Sequence, residues 1–184
     1  MIIMINGAFG AGKTTIATEL LIKINDSMIF DPEMVGYMVR EILPEDIRKK
    51  ESRSGDFQNY ELWRVLTVET ARKLKEQYGK NLIVPMTLRV PEYFTYIFNG
   101  FKNIDEQTYH YCLKASKESI FERLRNRGEE EGNWCYQQTD KCLKAFEEHD
   151  FGEYIKTDHV EIEDIIKTIV DKLTCRASYH EHSH

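Results

Sequence analysis

At 184 residues and a formal net charge of -6, the chain is one domain's worth of sequence, long enough to close a single hydrophobic core. The acidic balance excludes the broad basic surface with which proteins hold nucleic acid or anionic membranes. No apolar run reaches the roughly 20 residues that a membrane-spanning helix needs, and Met1 to Ile5 is too short for a signal peptide. A cytoplasmic protein with no stable membrane insertion is expected. Its cysteines, Cys112, Cys135, Cys142 and Cys175, form no C-x-x-C pair, so reduced and mostly buried thiols are expected rather than a metal site.

In chain order, Ile2 to Asn6 reads as a first strand, and Thr14 to Ile24 as a helix with Ile16, Leu20 and Ile24 on one face. Ser27 to Phe30 is a second strand, followed by a helix from Pro32 to Leu43. The stretch from Lys49 to Asp56 is polar and unpatterned, and Asp56 opens a long helix with Leu62, Val65 and Leu66 expected in the core. Asn81 to Val84, Tyr109 to Leu113 and Glu153 to Ile155 are the remaining strands. Helices follow with Phe94, Ile97, Phe98 and Phe101 on one face after Pro91, and with Ile162, Ile165, Ile166, Ile169 and Leu173 near the end. Gly128 to Asn133 is an acidic loop. Short apolar runs alternating with helices predict an α/β domain around a parallel sheet over residues 1–175. Residues 176–184 are expected to be a disordered tail, whose His180, His182 and His184 read as a solvated terminus before a metal site.

Chemistry concentrates between the first strand and the first helix. The segment Gly7-Ala8-Phe9-Gly10-Ala11-Gly12-Lys13-Thr14-Thr15 carries a complete P-loop, G-x-x-x-x-G-K-T. Its glycines let the backbone turn its N–H groups toward an anion, the helix dipole adds positive potential, Lys13 reaches phosphate oxygens, and Thr14 suits Mg²⁺. Asp31, before Pro32 at the end of the second strand, is a base, a Mg²⁺ ligand through water, or a helix cap, with Glu33 a second carboxylate beside it. Arg123 and Arg127 share a helical face, either closing over phosphates or completing a basic helix end. The third strand runs into Pro85 with no carboxylate, unlike GTPases and motors, which hold Mg²⁺ with an acid there. Thr87 and Arg89 follow at the sheet edge. Phe57, Gln58, Trp63 and Arg64 combine stacking with hydrogen bonding, as a nucleobase or sugar would require.

Several separated motifs together resemble the tunicamycin-resistance (TmrB-like) P-loop proteins, related to nucleotide kinases and chloramphenicol phosphotransferase. They are the start Ile5-Asn6-Gly7 through Thr14, Asp31-Pro32-Glu33 with Gly36, Asp56-Phe57-Gln58 with Leu62-Trp63-Arg64, and Ile83 to Thr87 with Pro91-Glu92-Tyr93-Phe94. Ala115 to Glu118, Arg123-Leu124-Arg125 with Arg127, and Thr157-Asp158 complete the set. The resemblance implies a three-layer, nucleotide-kinase-like fold with a five-stranded parallel sheet of order 2-3-1-4-5 and a helical lid carrying Arg123 and Arg127. It also implies ATP as donor and Mg²⁺ as cofactor. The implied activity is phosphorylation of a hydroxyl on tunicamycin, a uracil nucleoside with attached sugars, or on a similar antibiotic. Asp31 would then be the base, Lys13, Arg123 and Arg127 would stabilise the moving phosphoryl, and Glu33, Phe57, Gln58, Trp63, Arg64 and Thr87 would face the substrate. Drug sequestration without catalysis and a nucleoside or nucleotide kinase are the alternatives. No role carries over to Arg89.

Overall fold

The computed structural model describes residues 1–52 and 54–181, and for 176–181 the backbone alone. Five strands, β1 (Ile2–Gly7), β2 (Ser27–Ile29), β3 (Asn81–Pro85), β4 (Thr108–Lys114) and β5 (Glu153–Lys156), form one sheet in the order β2-β3-β1-β4-β5. Every pairing is parallel, so each connection crosses over the sheet. The expected order is the one observed.

Burial explains why β1 is central. Ile2, Ile3, Met4 and Ile5 are all 0 % exposed, the continuous apolar run of a strand covered on both faces. Ile3 and Ile5, with Tyr109, Tyr111 and Leu113 of β4, face the first helix α1 (Lys13–Lys23) and the last helix α8 (Ile162–Glu181). There they meet Ile16, Leu20, Ile165, Ile166 and Ile169, as the helical spacing predicts. Ile2 and Met4, with Leu82 and Val84, face the opposite layer, where α4 (Glu61–Tyr78) packs on α5 (Pro91–Ile104). Each fully buried Ile or Leu contributes about 1.5–3 kcal/mol. Helix α2 (Pro32–Ile42) leans on α4, and α6 (Lys117–Asn126) pairs with α7 (Trp134–Glu148) beyond β4.

Three expectations change. The segment from Lys49 onward is not all loop: α3 (Glu45–Glu51) takes in its start, although that helix buries no residue. Residue 53 of that segment lies outside the described residues. Helix α4 is rotated relative to its reading: Leu66 packs against the core as expected, but Leu62 and Val65 are 37 % and 36 % exposed, and Trp63, Thr67, Val68 and Ala71 form the buried face. A short 3-10 turn, Phe57–Asn59, and an extended Tyr60 precede the helix and set that rotation. Helix α8 runs on to Glu181, while His182 and His184 of the expected tail, and the side chain of His180, lie outside the described residues.

The register brings the functional loops together. Ile5 pairs with Pro85 and Gly7 with Leu113, so the chain leaves β1, β3 and β4 at the same carboxyl edge of the sheet, where open α/β sheets bind ligands.

Candidate active site

The glycine loop leaves β1 as a tight anion-shaped turn. Gly12 holds φ at 101°, a left-handed value that a side chain would strain, and caps α1 without any side-chain oxygen on the first N–H groups. A Cβ there would meet nothing within 4 Å, so the helix terminus opens onto free space. Lys13 Nζ donates to the Ala8 carbonyl at 2.9 Å and lies 5.4 Å from the Phe9 ring. No carboxylate within salt-bridge distance pairs with Lys13 among the described residues. Burial pulls its pKa down to about 8, with the Glu33 carboxylate opposing that and the Arg127 charge adding to it. An enclosed cation without a counter-ion fits a site that receives phosphate.

Asn6 fixes this loop from beneath. Its fully buried amide accepts from Gly7 N and Leu88 N at 2.8 Å each and donates to the Leu88 carbonyl at 3.0 Å. The Thr87 hydroxyl donates to the Gly7 carbonyl at 3.0 Å, and the Gln58 amide donates to the Thr87 carbonyl at 2.6 Å. Glycine loop, β3–α5 loop and the turn before α4 therefore move as one unit.

Beside this unit lies a cavity of about 350 Å³. Helix α2 lines it with Glu33, Tyr37 and Arg40, the turn before α4 with Asp56, Phe57 and Gln58, and the β3–α5 loop with Thr87 and Arg89. Phe9 of the glycine loop closes one end, and α7 supplies Trp134, Gln138 and Cys142. Gly36 is required by close packing: a Cβ there would stand 2.5 Å from the Phe57 ring, so only glycine lets that ring lie against α2. Burial raises the thiol of Cys142 to about 11, leaving it an uncharged part of the wall.

The two carboxylates expected at the sheet edge divide their work. Asp31 Oδ1 accepts from Glu33 N at 2.9 Å and caps α2 ahead of Pro32, so the capping alternative is realised and Asp31 does not line the cavity. Glu33 lines it instead. Burial first, and then the neighbouring Asp31 charge, push its carboxyl above the ordinary value, with the Lys13 ammonium pulling the other way.

Of the four residues expected from the start of α4, two line the cavity and two do not. Phe57 and Gln58 form its wall. Trp63 stands behind it, 1 % exposed, with its indole N–H donated to the Pro32 carbonyl at 3.0 Å and its ring 5.4 Å from Phe57. Arg64 donates to the Gln58 carbonyl at 2.8 Å and lies 4.4 Å over the Tyr93 ring, bracing the wall from outside. Both were candidates to face the substrate, and both instead support residues of the cavity wall.

A second cleft, about 330 Å³, lies on the other side of the glycine loop, among Gly10, Gly12, Thr15, Arg123, Arg127 and Thr157. Arg123 is held there by the Thr157 carbonyl at 2.7 Å and hydroxyl at 3.1 Å, so it ties α6 to the loop after β5. Arg127 caps the end of α6, its backbone N–H donating to the Leu124 carbonyl at 3.1 Å, while its guanidinium makes no hydrogen bond or ion pair with the described residues. The neighbouring Asp158 carboxylate accepts from Ser116 N at 2.8 Å, joining two of the motifs on which the resemblance rests. Asn6, Gln138 and Trp134 are site residues that the sequence reading missed. Asn6 looks like an ordinary strand end, and α7 carried no recognised motif.

A glycine loop at the carboxyl edge of a 2-3-1-4-5 parallel sheet, flanked by one cleft and one cavity, defines a P-loop, nucleotide-kinase-like fold. The family model described as an AAA domain matches residues 3–144, and the chain belongs to that family. Its structure is similar to that of the tunicamycin resistance protein of Deinococcus radiodurans, with a TM-score of 0.75, 26 % identity and 94 % of each chain covered. A shikimate kinase from Bacteroides thetaiotaomicron shares the fold at a TM-score of 0.63 and 17 % identity, over 95 % of this chain and 98 % of that one. A gluconokinase from Sinorhizobium meliloti 1021 does so at 0.66 and 15 %, over 99 % and 97 %. No curated protein sequence matches the chain. Among the described residues no helix is long and apolar enough to cross a membrane, and no group of three or more metal-binding side chains gathers.

Proposed function

We propose that this protein transfers the γ-phosphoryl group of ATP to a hydroxyl of a tunicamycin-like uracil nucleoside antibiotic and so confers resistance to it. The observation that carries the reading is Glu33, a partly buried carboxylate on the wall of the cavity and within electrostatic reach of Lys13. The similarity to a tunicamycin resistance protein supports the choice of acceptor.

In this reading the phosphates lie on the glycine loop and the adenosine in the cleft beside Arg123 and Thr157. The Thr14 hydroxyl and Asp31, through water, would hold Mg²⁺, which when bound neutralises phosphate charge. Glu33 takes the proton of the acceptor hydroxyl, the freed oxygen forms its bond to the γ-phosphorus, and the bond to the bridging oxygen of ADP breaks. Lys13 and Arg127 stabilise the charge on the moving group, while Arg123 positions the cleft. Asp31, expected as base, caps α2 and does not line the cavity, so this reading gives the proton transfer to Glu33.

Removing a general base costs about 10²- to 10⁴-fold in rate. Glu33→Gln is therefore expected to lose at least 10²-fold in kcat with drug binding retained, whereas Asp31→Asn keeps a competent cap and loses less. Single-turnover assays with both variants decide between the two carboxylates; a larger loss in Asp31→Asn returns the base to Asp31. One observation favours a second reading, drug sequestration without catalysis: β3 ends on Val84-Pro85 with no acid for Mg²⁺. Resistance that survives in cells carrying Glu33→Gln would support sequestration.

A further inference from the structure

Phosphoryl transfer leaves one wall of the acceptor cavity without a purpose. Helix α7 turns Trp134, Gln138 and Cys142 into the cavity at i, i+4 and i+8. Gln138 is 8 % exposed, yet its amide makes no hydrogen bond to any described residue. A nearly buried primary amide is normally satisfied, and this one, left open to the cavity, is placed to be satisfied by a ligand. Its chemistry is specific, because one edge offers an acceptor oxygen and a donor N–H₂ side by side. Arg89, in the same cavity, can only donate, and Asp56 at 3.6 Å holds its charge in the wall. Trp134 is 55 % exposed and meets Phe9 edge-on, with ring centroids 5.1 Å apart, so an indole face remains free for stacking.

We propose that α7 is the base-reading element of the cavity, with Gln138, Trp134 and the neighbouring Arg89 reading the uracil ring of the acceptor proposed above. Uracil presents acceptor, donor and acceptor along its O4, N3–H and O2 edge. Arg89 donates to O4, the Gln138 oxygen accepts from N3–H, and the Gln138 nitrogen donates to O2. Cytosine presents an amino donor at the first position, opposite the donor-only Arg89, and is disfavoured. The inference rests on the reading of this cavity as the acceptor site, but not on transfer taking place.

The test is titration of the full chain with uridine and with cytidine in the absence of ATP, followed by quenching of tryptophan fluorescence. The second indole, Trp63, is 1 % exposed and shielded behind Phe57, so Trp134 reports binding. Uridine is expected to bind at least about tenfold more tightly than cytidine. Gln138→Leu is expected to lose about tenfold or more in uridine affinity while ATP affinity stays unchanged, which also shows that the variant is folded. Arg89→Met, on the cavity rim, is expected to bring the uridine-to-cytidine ratio toward one. Equal affinities in the unaltered protein, or unchanged uridine binding in Gln138→Leu, overturn the proposal. Uridine selectivity without phosphorylation supports the base-reading helix and overturns the kinase reading. Phosphorylation of tunicamycin that is indifferent to Gln138→Leu does the reverse.

Discussion

Lys13 is charged, enclosed and without a carboxylate partner, and its pKa of about 8 has a consequence for binding. The ammonium is the form that attracts phosphate, so ATP affinity is expected to hold up to about pH 7.5 and then to weaken by as much as ~tenfold per pH unit. Isothermal titrations between about pH 6.5 and 9.5 check this, with Lys13→Met expected to be weak and flat throughout. A flat profile in the unaltered protein would mean that Lys13 does not meet the phosphates. Asn6 makes a different kind of prediction, because its amide satisfies three buried backbone groups at once. Each group left unpaired costs about 1–3 kcal/mol. Asn6→Ala is expected to lose at least ~2 kcal/mol in denaturant unfolding and to weaken ATP and acceptor binding together, since the amide joins both loops. The glycines and Lys13 were legible in the sequence because their roles are local, set by neighbours within a few positions. Asn6 was not, because its partner Leu88 lies 82 residues away.

At the scale of elements, the cavity wall depends on how α2 and the turn before α4 fit. Gly36→Ala drives a Cβ to 2.5 Å from the Phe57 ring, so the ring must move. Overpacking of this kind costs about 1–3 kcal/mol. A loss of acceptor affinity with ATP affinity unchanged is expected, and equal loss of both would show that the two sites are not separate. The motif Asp56-Phe57-Gln58 lines the cavity, but Trp63 and Arg64 after it do not. Both Leu62-Val65-Leu66 and Trp63-Thr67-Ala71 have helical spacing, and only the capped turn at Asp56 and the Trp63–Pro32 hydrogen bond decide which face turns inward. Polar Thr67 at 0 % exposure makes the true core stripe look less apolar than the false one. Helix α7 stayed unread for a related reason, since its cavity-lining stripe of Trp134, Gln138 and Cys142 has the composition of an ordinary amphipathic surface.

Across the whole molecule, the parallel sheet followed from the alternation of apolar runs and helices, and its strand order from the resemblance alone. The chain's response to acid follows from a residue that none of these marked. His110 on β4 is 6 % exposed, with both ring nitrogens buried and unbonded, and burial lowers its pKa to about 4, a drop that the Phe151 backbone only partly offsets. The unfolded chain binds a proton at about pH 6.5 that the folded protein refuses until about pH 4, so stability is full above the upper value and falls between the two. The loss is ~3 kcal/mol by linkage, and His110→Phe should remove that part of the slope in thermal unfolding between about pH 7 and 4.5. An unchanged slope in His110→Phe would place the acid sensitivity elsewhere.

In the proposed function, the glycine loop and the Glu33 cavity are the donor and acceptor halves of one phosphoryl-transfer site. Incubating the purified chain with tunicamycin, ATP and Mg²⁺, and weighing the drug by mass spectrometry, tests it most directly. A drug heavier by one phosphoryl group, formed in proportion to ADP and absent with Glu33→Gln, is the expected result; drug recovered unmodified from protein that binds both ligands would overturn the phosphotransferase reading.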